Sequence, residues 1–194
     1  VDAQRISRTD FAHPDDSRSE ATSPLTLCRE PRALLPEVPA EWDQIEPGLR
    51  RLVMDLVRGK GRWPLFLHGP TGTGKTSAAL WLLRRIWGPR FIGKPGELID
   101  AVVGRQQWLW EHIHDAWLVA IDEIGSRSDA PSLELQAVQR CADERGRRPT
   151  IWISNLAPKQ LLEVYDDRIV SRICSGSVYR LDGRDRRFDG REDR

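Results

Sequence analysis

Lysine is scarce in this sequence. Of 30 basic residues only four are lysines, Lys60, Lys75, Lys94 and Lys159, so the position of a lysine carries more information than usual. Cysteine is scarcer still: Cys28, Cys141 and Cys174 are odd in number and widely spaced, and no histidine stands at metal-ligand spacing from them. That pattern argues against a zinc site and reads as reduced thiols in a cytoplasmic protein. Net charge is only +1, which excludes a field of one sign over the whole surface and confines any nucleic-acid site to a local patch. No apolar run approaches the roughly 18 residues that a membrane-spanning helix needs, so no membrane partner is expected. Val1–Phe11 is polar and charged, unlike a secretory signal. What remains is 39% hydrophobic and 30% charged over 194 residues, enough for one domain with a core and a tail.

Residues 1–40 differ from the rest. Prolines at 14, 24, 31, 36 and 39 break any helical or strand period, and the segment reads as a disordered arm or a partner-docking segment. Residues 41–181 read as the compact domain and 182–194 as a charged C-terminal tail. Within the domain, helices are predicted over 47–58, 75–87, 97–103, 106–114, 132–145, 158–164 and 167–174. Their apolar stripes include Leu49, Leu52, Val53 and Leu56 in the first and Ala78, Ala79, Leu82, Leu83 and Ile86 in the second. Strands are predicted over 64–68, 90–92, 117–121, 150–154 and 178–181. Strands alternating with helices imply an α/β fold, a parallel sheet of five strands covered on both faces.

The run Gly69, Pro70, Thr71, Gly72, Thr73, Gly74, Lys75, Thr76, followed by Ser77, matches the phosphate-loop pattern G-x-x-x-x-G-K-[ST]. Its glycines let the backbone curl so that N–H groups point inward at phosphate oxygens, and the helix that starts there adds its positive end. Lys75 is expected to reach the β- and γ-phosphates of ATP, and the Thr76 hydroxyl to ligate Mg²⁺. An apolar strand before the loop and an amphipathic helix after it set it apart from a chance glycine-rich turn.

A second apolar strand, Trp117–Ile121, ends in Asp122 and Glu123. A carboxylate at the end of a neighbouring parallel strand lies across from a phosphate loop. Asp122 is expected to hold Mg²⁺, and Glu123 to orient and deprotonate the attacking water. The strand at 150–154 runs into Asn155, placed to sit between γ-phosphate and water, although in isolation it reads as an ordinary turn asparagine. Arg168 and Arg172 are four apart and share one helix face. They read either as a solvated surface or as an arginine finger for a neighbouring subunit's site.

The order of these motifs is similar to the DnaC/IstB branch of the AAA+ ATPases. It runs from the phosphate loop through Ile121-Asp122-Glu123-Ile124-Gly125, Ile153-Ser154-Asn155-Leu156 and Asp167-Arg168-Ile169-Val170-Ser171-Arg172-Ile173 to Leu181-Asp182-Gly183-Arg184. The resemblance covers roughly residues 65–187. It implies that Asn155 is the sensor-one residue, that Arg172 is the trans-acting finger with Arg168 a second candidate, and that the sheet has AAA+ strand order. It also implies a homo-oligomeric ring or spiral and ATP hydrolysis with Mg²⁺. The sequence ends soon after Leu181, so a truncated lid without a sensor-two arginine is expected. The implied partner is a replicative helicase, loaded onto single-stranded DNA, or a transposase. A nucleotide-gated scaffold with negligible turnover is the alternative, and an intact Glu123 argues against it.

Eight tryptophans is a high count. Trp81 and Trp152 read as core. In Gly104-Arg105-Gln106-Gln107-Trp108-Leu109-Trp110, arginine beside aromatics could stack on single-stranded bases, though Trp108 reads more readily as a core residue. Arg140, Arg145, Arg147 and Arg148 read as a solvated helix end or a subunit interface.

Overall fold

The computed structural model describes residues 42–43, 45–85 and 90–183, without the side chains of Arg85 and Arg90. The expected arm, Ile86 of the second helix, Cys28 and residues 184–194 lie outside the described residues. Twelve elements follow in order: α1 Pro47–Val57, β1 Leu65–His68, α2 Lys75–Arg85, β2 Arg90–Gly93, α3 Pro95–Val102, α4 Trp108–Asp115, β3 Leu118–Ile121, α5 Pro131–Arg145, β4 Thr150–Ser154, α6 Pro158–Leu161, α7 Asp167–Ile173 and β5 Ser177–Arg180.

The five strands form one parallel sheet in the order β2-β3-β4-β1-β5. β1, β3 and β4 are buried throughout, which is why they are continuous apolar runs. β5 is an edge strand, and its burial alternates. The pleat divides the core in two. Leu65, Leu67, Leu118, Ala120, Ile151 and Ile153 face α1 and α2. Phe66, Val119, Ile121 and Trp152 face α3, α4, α5, α6 and α7.

Local chemistry sets most element ends. Proline occupies the first turn of α1, α3, α5 and α6, where its missing N–H costs nothing. That places the start of α3 at Pro95, two residues before the predicted Glu97. At α1 the Glu46 carboxylate accepts the Leu49 N–H at 2.9 Å. α6 is shorter than the predicted 158–164. Of its apolar residues only Leu161 is buried, while Leu162 and Val164 stay exposed, so no continuous face supports a longer helix.

The reading of the Arg140–Arg148 cluster as solvated or interfacial fails at Arg145. That side chain is 2% exposed. Its guanidinium donates to the carbonyls of Ile113 at 2.9 Å, Ala116 at 2.8 Å and Pro149 at 2.8 Å, tying the end of α4 to the start of β4. Burial lowers its pKa to about 10, and the carbonyl cage answers the charge with dipoles.

Candidate functional site

The C-terminal ends of β1, β3 and β4 converge on the loop 69–74. Gly69 has φ of 140°, and a Cβ there would lie 2.0 Å from the Leu181 carbonyl oxygen, so only glycine fits between the loop and the chain leaving β5. Gly72 and Gly74 also have positive φ, 77° and 92°. The Thr73 hydroxyl donates to the Pro70 carbonyl at 2.9 Å and braces the curl. Thr71 is exposed at the loop tip, and Ser77 is half-buried in the first turn of α2.

Lys75 is 6% exposed, and its ammonium donates to the carbonyls of Gly69 and Pro70, both at 2.7 Å. The lysine thus spans the mouth of its own loop. The next residue connects this loop to the acidic strand: Thr76 Oγ1 donates to Asp122 Oδ2 at 2.7 Å. β3 is not β1's neighbour, contrary to the simplest sequence expectation, because β4 lies between them. Asp122 bridges that gap.

Asp122 is 8% exposed. Burial pushes its pKa up, against the lowering effects of the Thr76 hydroxyl and of the Glu123 N–H, which it accepts at 2.8 Å. Glu123 is the only non-glycine among the described residues with positive φ, at 60°. A bulky residue in that region costs on the order of 1–3 kcal/mol and persists where its surroundings force it. Here Ile124 N–H donates to the Ile153 carbonyl at 3.0 Å, Ser154 Oγ donates to the Ile124 carbonyl at 2.7 Å, and the Tyr165 hydroxyl accepts the Gly125 N–H at 2.8 Å.

The side chain of Glu123 pairs with Lys94, Nζ to Oε2 2.8 Å. Lys94 was not singled out from the sequence as a site residue. Its scarcity as a lysine was the signal, and the register supplies the rest: Gly93 of β2 pairs with Ile121 of β3, so Lys94 lies beside Asp122 and Glu123. Ser154 was also missed; it is fully buried and joins β4 to the acidic loop. Asn155 is exposed one residue past Ser154, which is in register with His68, so it stands beside the start of the phosphate loop.

Arg168 and Arg172 both lie on α7. Arg168 is exposed. Arg172 is less exposed and pairs with Asp143 of α5 in the same chain. The core reading of Trp108 fails: it is 47% exposed, with its ring edge-on to His112 at 5.1 Å. Trp110 takes the core place instead, at 6% exposure, with the Arg140 guanidinium 4.1 Å above its ring. Arg105 is exposed close by, 3.4 Å from Asp100. Cys141 is buried with its thiol pushed up to about 12, and Cys174 to about 11, both by burial, and both are free thiols. Among the described residues no cluster of histidine, cysteine and carboxylate side chains could hold a metal ion, and no helix is long and apolar enough to cross a membrane.

The loop, the acidic strand end and the strand order together decide the fold. The chain has the P-loop AAA+ fold. Solved structures bear this out. A replication initiator DnaA bound to AMPPCP and single-stranded DNA superposes with a TM-score of 0.60 at 18% identity, over 71% of this chain and 46% of that one. DnaI superposes at 0.56 with 20% identity over 81% and 94% of the two chains. The DnaC helicase loader superposes at 0.51 with 18% identity over 61% and 77%. The chain spans about half the length of that DnaA chain. No protein-family model and no curated protein matches the chain.

Proposed function

We propose that this chain binds and hydrolyses ATP and acts as a DnaC-like helicase loader. The observation that carries the ATPase reading is the Thr76–Asp122 contact, which sets a phosphate loop against an acidic strand end. Gly69, Gly72 and Gly74 hold the loop in positive-φ turns that glycine adopts most readily, and Lys75 supplies a buried positive charge. The hydroxyl of Thr76 and the carboxylate of Asp122 are hard oxygen donors within hydrogen-bond distance, which suits Mg²⁺. When bound, Mg²⁺ would offset negative charge on the β- and γ-phosphates.

Lys75 would exchange its loop carbonyls for phosphate oxygens. Glu123 would accept a proton from water as the water oxygen bonds to the γ-phosphorus. The bond from that phosphorus to the β–γ bridging oxygen breaks, and ADP and phosphate leave. Glu123 must first part from Lys94. Asn155 would contact the water or γ-phosphate from the end of β4. In a homo-oligomeric ring or spiral, an arginine of α7 would enter the neighbouring site. The resemblance favours Arg172 for that role, with Arg168 the second candidate, and the partly exposed Arg172–Asp143 pair is, like Lys94–Glu123, weak enough to break. The likeness to the DnaC helicase loader supports a helicase as partner. Exposed Trp108, three residues along the chain from exposed Arg105, supports contact with single-stranded DNA, with base stacking on the indole.

Calorimetry on Lys75→Ala tests the nucleotide site. Affinity for Mg²⁺–ATP should fall at least about tenfold with the fold intact. Unchanged affinity would contradict the assignment.

A further inference from the structure

Tyr165 has no part in the chemistry just described, yet it is 3% exposed and sits against the acidic loop. Its hydroxyl accepts the Gly125 N–H at 2.8 Å and donates to the Glu134 carboxylate. Glu134 is itself only 4% exposed, in the first turn of α5. A carboxylate at that depth is costly to bury unless it is hydrogen-bonded, so a phenol directed at it marks a built contact rather than a chance one. Burial and the Glu134 carboxylate both push the phenol's pKa far up, so the proton stays on Tyr165.

The contact joins three parts of the molecule. Gly125 lies two residues past Glu123, whose backbone is held at φ of 60°. Gly125 also has positive φ, 73°, and a Cβ there would lie 2.7 Å from Leu161 and 3.0 Å from Leu156. Tyr165 immediately precedes Asp166, which caps α7 by accepting the Ile169 N–H at 2.8 Å. α7 carries Arg168 and Arg172. β4 already grips the loop from one side through Ile153 and Ser154. The grip from the other side is the Tyr165 hydroxyl.

We propose that Tyr165, oriented by Glu134, is a positioning residue that holds the Glu123 loop in its left-handed conformation and ties that loop to the start of α7. The inference rests on the ATPase reading above. The backbone at Glu123 is held at a φ that non-glycine residues rarely adopt, and a clamp on only one side would leave the loop freer to relax out of it. A base displaced by about an ångström is a much poorer base, while the nucleotide cradle on β1 and α2 is untouched.

Steady-state ATP turnover by the whole chain tests this. Tyr165→Phe should lower kcat by about tenfold or more and leave KM for Mg²⁺–ATP within about twofold. A core change on the opposite face of the sheet, Val53→Ala on α1, should lower Tm while leaving kcat unchanged, which separates positioning from general loosening. In a Glu123→Gln background Tyr165→Phe should have no further effect, because Tyr165 acts through Glu123; independent roles would multiply. If Tyr165→Phe folds poorly because Glu134 loses its donor, the pair Tyr165→Phe with Glu134→Leu removes both polar partners and should show the same loss of kcat. Parental kcat in either folded variant overturns the proposal, as does a loss that persists undiminished in the Glu123→Gln background. If the parent itself lacks turnover that Lys75→Ala abolishes, the ATPase reading fails, and this proposal with it.

Discussion

Lys94 Nζ lies 2.8 Å from Glu123 Oε2, so the candidate base is held by a cation from its own chain. Both side chains are about half exposed, at 57% and 50%, and an ion pair in that setting stabilises by about 0–1 kcal/mol. The pairing holds the Lys94 pKa above its ordinary value through the hydrogen bond to Glu123. It is strong enough to bias Glu123 away from water and weak enough to break when a better partner arrives. Lys94→Ala should therefore raise basal ATP turnover by up to about fivefold, the factor that corresponds to the upper end of that energy. Turnover that falls instead would assign Lys94 a direct part in catalysis.

Stability should depend on pH through His68. This imidazole ends β1, stacks on Phe66 at 5.4 Å and is 8% exposed. Burial holds its pKa below the usual 6.5; Arg180 and Lys75 push the same way, and Asp182 opposes them. The unfolded chain then takes up a proton near pH 6.5 that the folded chain still refuses. Stability from this group is present in full above 6.5 and is lost as pH falls through the folded-state value. Tm measured downward from about pH 7 should fall, and His68→Gln should flatten that fall. An unchanged slope in the variant would assign the dependence elsewhere.

The two arginines of α7 make different predictions. Arg172 is engaged with Asp143, and Arg168 is exposed. If Arg168 enters the neighbouring site, Arg168→Ala should bind ATP and lose on the order of 10³-fold in turnover. Mixed with Lys75→Ala, it should regain hydrolysis, since some interfaces then pair an intact loop with an intact arginine. If Arg172 is the arginine that enters, Arg172→Ala should show that loss and that rescue instead, and Arg168→Ala should keep its turnover. Loss without rescue in both mixtures, although mixed oligomers form, would exclude a trans-acting arginine on α7.

The chemistry at each strand end was easier to read from sequence than the links between those ends. The phosphate loop and Asp122–Glu123 are local patterns, and their residue types announce themselves. Trp81 and Trp152 were legible as core from the periodicity of their elements. Lys94 was not read as part of the site, because its meaning depends on the β2–β3 register, which no local pattern contains. Arg145 was misread for a related reason. Its partners are carbonyls of residues 113, 116 and 149, and backbone acceptors leave no mark in side-chain identity. Trp108 and Trp110 differ by two positions, so on α4 they face different ways. Only the packing of α4 on α5 and β2 decides that Trp110 goes inward.

The most direct test of the ATPase reading is Glu123→Gln, with Mg²⁺–ATP binding and turnover measured on the same preparation. The amide keeps the size of the side chain and loses its ability to take a proton. The account predicts binding within about twofold of the parent and a turnover loss of at least about a hundredfold. A variant that binds normally and hydrolyses at the parental rate would contradict it.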